Sequence, residues 1–319
     1  MPQPTANDVH VDAILTNISV AYMQQTSAFI ANQVFPSVPV EKQSDKYFKY
    51  TKGDWFRDEA QLRAPATESA GSGYSLSTDT YTTSVYAFHK DVDDQTRANA
   101  DSPLNPDRDA TQFVTQRMML RQEIEWVGTY FTTGVWDTDV VGGTDFTVWS
   151  NYTSSDPITD VETGKSTMLS NTGFMPNLMV IGYDAFRQLR HHPDVVDRIK
   201  YTSSEVPAEG ILARLFGVDR VLVSRSIKNA GAEGAADSFS FTAGNNAALY
   251  YVAGSPGLLT PSAGYQFVWR GISDGMGTNV GITRFRMPEL RADRIEAQMA
   301  WDYKVVATDL GYFFSGCVA

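Results

Sequence analysis

An α+β fold is predicted for this chain of 319 residues, and three observations carry the prediction. Helical and strand-like patterns are mixed along the sequence without a regular strand–helix–strand repeat. One helical pattern, opening at Asn105-Pro106-Asp107, runs on for about 28 residues, more than double an ordinary helix. The block 289–314 alternates apolar and polar residues for most of its length, as one very long strand or a strand pair would.

In chain order, residues 1–36 read as an arm rather than a domain. ILTNISVAYM (14–23) and SAFIANQVF (27–35) carry apolar side chains before Pro36 and Pro39 interrupt the pattern. From Tyr47 to Lys90 the chain reads as one long β-ribbon: KYFKYTKGDWF goes out, a Gly/Ser/Ala/Pro-rich centre turns, and DTYTTSVYAFHK returns. Each leg is about fifteen residues, or roughly 50 Å. The return leg is apolar on both faces, Tyr86 and Phe88 on one and Val85 and Ala87 on the other. A lone hairpin is marginal in water, so this ribbon lies either on its own chain or on a neighbouring subunit.

At the long helix, Asn105 supplies an N-cap, Pro106 suits the first helical position and Asp107 meets the positive end of the dipole. Phe113, Leu120, Ile124, Val127 and Phe131 make the expected apolar stripe, and Gly134 the stop. Asp156-Pro157 repeats the cap signature for a helix to about Ser170. NLMVIG (177–182) reads as a buried strand, YDAFRQLRHH (183–192) as a helix ended by Pro193, PAEGILARLFG (207–217) as another helix, and VDRVLVSRS (218–226) as a strand. AALYYVAG (247–254) and YQFVWRG (265–271) are further strands. The closing block should bury Ile295, Ala297, Met299, Trp301 and Tyr303 on one face.

The chain is 42% apolar and 20% charged, an ordinary globular composition. No signal peptide is visible, and 247–259, the longest nearly uncharged apolar stretch, is too short and too broken by Gly and Pro to span a bilayer. A net charge of −11, with 17 Arg to 9 Lys, excludes a protein that grips nucleic acid by counterion release, though not one that merely surrounds it. The single cysteine, Cys317, rules out an internal disulfide and reads as a small residue in or beside a terminal strand.

Candidate chemistry fails at each motif. ETGKST (162–167) has the tail of a phosphate loop, but Thr159 stands where the first glycine belongs, and the pattern places GKS in mid-helix, its amides already bonded. Adjacent His191 and His192 point about 100° apart on a helix and do not chelate one metal; they suit the helix's negative end instead. DVDD (91–94) and DRDA (107–110) lack calcium-loop spacing and read as a solvated acidic turn and a helix N-terminus. No enzyme, cofactor or metal site is expected.

This order of elements resembles the major capsid proteins of tailed double-stranded DNA bacteriophages, the Hong Kong 97-type shell fold shared with encapsulins. VFPSVPVEKQSDKYFKY, RAPATESAGSGYSLSTDTY, HKDVDDQTRANADSPLNPDRDA leading into QRMMLRQEIEWV, MPNLMVIGYDAFRQLRHHPDVVDRIKY and TPSAGYQFVWRG carry it. The resemblance implies an N-arm (1–36), an extended loop (51–88), a peripheral domain (37–50, 89–155 and 283–307) with a spine helix at about 106–133, and an axial domain (156–282 and 308–319). It implies a shell of hexamers and pentamers around DNA contacted non-specifically, assembled in the host cytoplasm and located in the virion, with no membrane. A separate scaffolding protein is implied because no scaffolding segment precedes the N-arm; a portal and decoration proteins are further partners. The expected inter-subunit contacts are Tyr47, Phe48, Tyr50, Trp55, Phe56, Tyr74, Tyr81, Tyr86 and Phe88. An encapsulin-like nanocompartment is the alternative.

Overall fold

The computed structural model describes residues 23–100, 104–199, 208–257, 259–271 and 281–319. Most of the expected N-arm therefore lies outside the described residues. The chain runs through α1 (Ala31–Val34), β1 (Ser37–Val40), β2 (Ser44–Tyr50), the single turn α2 (Lys52–Trp55), β3 (Leu76–Thr82), β4 (Ser84–Asp93), α3 (Asp94–Asn99) and the long α4 (Pro106–Tyr130). Next come β5 (Thr138–Val141), α5 (Pro157–Thr172), β6 (Leu178–Gly182), α6 (Tyr183–His191), α7 (Pro193–Ile199), α8 (Glu209–Phe216) and β7 (Arg220–Ser224). The rest is strand: β8 (Ile227–Asn229), β9 (Phe239–Phe241), β10 (Ala247–Tyr250), β11 (Gly264–Trp269), β12 (Gly281–Met287), β13 (Ala292–Val305) and β14 (Gly311–Ser315).

Two five-stranded sheets organise these elements. The first runs β1-β11-β13-β12, with β4 on the other edge of β13; the second runs β5-β14-β10-β6-β7. The closing block is thus two strands, one in each sheet. In β13 the expected set Ile295, Ala297, Met299, Trp301 and Tyr303 is buried, because its period of two turns every second side chain toward α4. The second sheet buries Trp149, Met179, Ile181, Leu249 and Phe314 with apolar faces of α5 to α8.

Helix α4 starts as expected: the Asn105 side chain accepts from the Arg108 N–H at 3.2 Å, with Pro106 at the first position. It ends at Tyr130, three residues short of the expected 133, and Gly134 (φ +83°) serves the turn beyond. Its buried face is also rotated. Ala110, Val114, Met118, Trp126 and Val127 face the core, while Phe113, Leu120 and Ile124 are only half-buried. The facing sheet already supplies bulky rings, Tyr86 stacked on Trp301 at 4.2 Å among them. The row of i, i+4 residues with small or flexible side chains therefore packs closest.

Three further differences are local. Pro193 does not merely end α6; it opens α7, where its missing N–H costs nothing. β12 arises from a stretch not read as a strand. The long ribbon is also much shorter than expected, since β2 and β3 pair only from Ser44–Thr82 to Tyr50–Leu76. After Thr83 the return leg changes partner: β4 pairs with β13 over ten residues and becomes part of the first sheet.

Candidate functional site

The structure divides the sequence's aromatic ribbon into a covered root and an uncovered tip. At the root, Tyr81 is 6% exposed and stacks on Phe267 with ring centroids 4.4 Å apart. Tyr47 lies over the same ring at 5.5 Å and donates its hydroxyl to Asp79 at 3.1 Å; burial is the main cause that pushes its phenol pKa up. The Thr82 N–H donates to the Asp302 carboxylate at 2.8 Å, tying the ribbon to β13. Tyr86 and Phe88 pack on Trp301 and Phe113. This chain's own rings bury Tyr81 in β3 and pack on one face of Tyr86 and Phe88, which stay half-buried in β4, a strand of the first sheet.

The tip is different. Every residue from Trp55 to Thr80 is exposed. The Ser75 N–H donates to Asp54 at 2.8 Å and closes the neck of the loop. Around that neck Tyr50, Trp55 and Tyr74 form a ring cluster with centroids 5.7 to 6.2 Å apart. The cluster stands in solvent: Trp55 is 54% and Tyr74 62% exposed, with Phe56 at 63% and Phe48, Leu62 and Leu76 also exposed. Phe56 lies beside Gly173, where an added methyl would stand 3.7 Å from its ring. Lys52 pairs with Asp309. Exposed rings gathered on a loop are a candidate interaction surface. Leu62 and Leu76 are exposed on the same stretch of chain and were not among the expected contacts.

Below the root an ionic clasp joins α3, α4, β12 and β13. Asp293 meets Arg97 at 3.0 Å, Arg284 and Arg286; Arg97 also reaches Asp107 at 2.9 Å, and Arg286 holds Asp94. The Arg284 guanidinium, with Arg286, draws the Asp293 pKa down to about 2. Arg294 grips Asp91 at 2.7 and 2.9 Å, and Asp93 caps α3 by accepting from the Thr96 N–H. The acidic run 91–94 is therefore a set of caps and ion pairs and not a solvated turn. Among the described residues no group of three or more His, Cys, Asp or Glu could hold a metal, and no helix is long and apolar enough to cross a membrane.

One Ser–His–Asp grouping does occur. His192 Nε2 lies 2.9 Å from Ser155 Oγ, and its Nδ1 lies 3.6 Å from the Asp194 carboxylate. Its wiring opposes that of a nucleophile. Ser155 already donates to the Asn151 carbonyl at 2.7 Å, while Nδ1 accepts from the Asp194 N–H at 3.3 Å. The proton therefore sits on Nε2 and points at the hydroxyl, whereas a general base would need a lone pair there. His192 is buried, burial lowers its pKa, and it links the start of α7 to the 151–155 turn rather than answering a helix's negative end. Lys165 is buried mid-helix, donating to the Phe216 carbonyl at 2.7 Å and to Glu162 at 2.8 Å. Cys317 is buried, and burial raises its thiol pKa.

No family model matches the chain. It is 25% identical over 318 residues, 97% of each chain, to the major capsid protein of Pseudomonas phage JBD67. To that of Burkholderia phage BcepMu it is 26% identical over 223 residues, 68% of this chain and 69% of the relative. Among solved structures, a phage-related protein from Bordetella bronchiseptica superposes with a TM-score of 0.68 at 22% identity, covering 92% of this chain and 94% of that one. The capsid of cyanophage P-SCSP1u gives 0.63 at 11% identity, over 97% and 93%. The SrpI encapsulin of Synechococcus elongatus gives 0.58 at 13% identity, over 95% and 92%. The fold is the α+β capsid fold of the Hong Kong 97 type.

Proposed function

We propose that this chain, a phage major capsid protein, assembles as hexamers and pentamers into an icosahedral shell that encloses double-stranded DNA. The observation that carries the reading is the loop tip: an aromatic cluster extended beyond the core, with no cover in its own chain. In the shell it lies across a neighbouring copy, and Phe48, Tyr50, Trp55, Phe56 and Tyr74 make the contact. A standard interface buries about 1,600 Å², and an arm lets a subunit distribute such area over several neighbours. Residues 1–36 act as N-arm and 51–88 as extended loop. The segments 37–50, 89–155 and 283–307 form the peripheral domain, and 156–282 with 308–319 the axial domain. A separate scaffolding protein, a portal and decoration proteins are its partners, assembly takes place in the host cytoplasm, and the protein serves as a container rather than an enzyme. The acidic balance suits DNA packed without being gripped.

The test is negative-stain microscopy and light scattering on the purified protein, with the double variant Trp55→Ser/Phe56→Ser beside it. Wild type should give capsomers or shells, and the variant a folded but unassembled chain. A wild-type monomer that persists at high concentration would overturn the reading. A shell that encloses a cargo enzyme instead of DNA would favour the encapsulin-like alternative, to which the similarity with SrpI points at the level of fold.

A further inference from the structure

Glu123, on the inner face of α4, is wholly buried, yet among the described residues no cation contacts it. Its two oxygens have different surroundings. Oε2 accepts from the Ile30 and Ala31 N–H groups, each at 2.8 Å. Oε1 faces Ser224 Oγ at 2.8 Å and Ser226 Oγ at 3.2 Å, and these two hydroxyls lie 3.2 Å from each other. Those three oxygens form a triangle with three contacts at hydrogen-bond distance. The serines bring two protons to it. A third, on Oε1, lets each oxygen donate once and accept once, while Oε2 stays free to accept both amides. A neutral carboxyl thus supplies a proton to every contact; an ionised one still accepts from both hydroxyls and both amides, but leaves the 3.2 Å contact between the two serines without a proton.

We propose that Glu123 is a proton-dependent latch on the root of the N-terminal arm, closed with a neutral carboxyl and loosened when the carboxyl ionises. The segment it holds is firmly seated elsewhere. Phe35 lies among Trp126, Tyr130, Trp136, Tyr250 and Tyr303, with centroids 6.0 to 6.4 Å away. The Arg225 N–H donates to the Ala28 carbonyl at 3.3 Å, and the Gln24 amide pairs with both backbone groups of Ile227. Through its carboxyl Glu123 ties this segment to both α4 and the end of β7. Of the ionisable groups around it, the Tyr303 phenol comes from β13 and feels both Glu123 and Glu125. Arg225, between the two serines, turns outward to Glu209. Ile30 and Ala31 bring no charge. Burial pushes the Glu123 pKa up, against the hydrogen bonds that pull it down. A carboxyl that holds its proton more tightly when latched makes the latch firmest at low pH. That firmness is lost as pH rises through the raised value.

Hydrogen exchange of the full chain, corrected for intrinsic rates, reads this directly in peptides spanning 24–36. Opening should increase by up to about tenfold per pH unit between the ordinary glutamate range and the raised latched value, and level off above it. Glu123→Gln, whose oxygen takes the two amides while its NH2 faces Ser224, should hold the segment equally at every pH and no less firmly than wild type at pH ~5. Wild-type protection that is constant with pH, or that improves as pH rises, overturns the proposal, as does a Glu123→Gln segment looser than wild type at the acidic end. An infrared titration of wild type alone supplies a reading that needs no variant. A protonated-carboxyl band should persist above the ordinary glutamate range, and its absence also overturns the latch. None of this depends on the shell reading.

Discussion

The root and the tip of the aromatic ribbon have similar compositions and opposite fates. Tyr81 stacks on Phe267 and Tyr86 on Trp301, whereas Trp55 and Tyr74 stack only on Tyr50 and each other, in solvent. The cause is the partner exchange at Thr83. Downstream of it β4 has β13 on one edge and α4 on one face; just upstream Tyr47 and Tyr81 still reach Phe267 of β11, and beyond them the chain has only its own other leg. Aromatic content therefore does not distinguish covered rings from exposed ones here. What distinguishes them is whether a third layer reaches the rings.

Mutations at the two ends should separate this contrast most sharply. Trp301→Ala removes the platform under Tyr86, wholly inside the core, and should cost about 3–5 kcal/mol in chemical denaturation. A loss below ~1 kcal/mol would place the root outside the core after all. Tyr81→Ser should cost about 2–4 kcal/mol by the same mechanism, whether or not the protein assembles. The helix cap should follow at about 1 kcal/mol for Asn105→Ala, read as a shift in denaturation midpoint. At the tip, Trp55→Ser or Tyr74→Ser should change monomer stability by no more than ~0.5 kcal/mol while abolishing assembly. Comparable stability losses at tip and root would erase the distinction.

The clasp beneath the root adds a pH test. Asp293 has its pKa lowered to about 2 from an ordinary 3.8, so its contribution is present above 3.8 and disappears as pH falls toward 2. Asp91, Asp93 and Asp94 are shifted the same way, by Arg294, by the Thr96 N–H and by Arg286 respectively. Stability of the first sheet should fall across that acid window, and Asp293→Asn should flatten the decline. An unchanged slope in the variant would show that these pairs contribute nothing. Trypsin offers the gentlest comparison: cleavage after Arg57 or Arg63 in free chains and protection in assembled ones, as expected of an exposed loop that becomes covered.

Much of the fold was legible because its signals are local. Asn105 and Asp156 cap helices with their own side chains, and Gly173 and Gly217 end helices at φ +76° and +62°. The period-two burial of β13 follows from the pleat. The exposure of the tip was legible for a related reason, since large apolar residues amid Gly, Ser and charge have nothing nearby in sequence to bury them. The packing of Tyr81, Tyr86 and Phe88 depends on Phe267, Trp301 and Phe113, of which the first two lie about two hundred residues away along the chain.

The sequence by itself determined where the capped helices begin and which face of β13 is apolar. Those properties follow from backbone dihedrals, caps and side-chain periodicity, which act within a few residues. The tertiary structure alone decided which face of α4 meets the sheet, where the ribbon changes partner, and that Glu123 meets Ile30 and Ser224 from opposite ends of the chain. Each of these depends on what packs opposite, and close packing selects one arrangement from several that the local pattern permits.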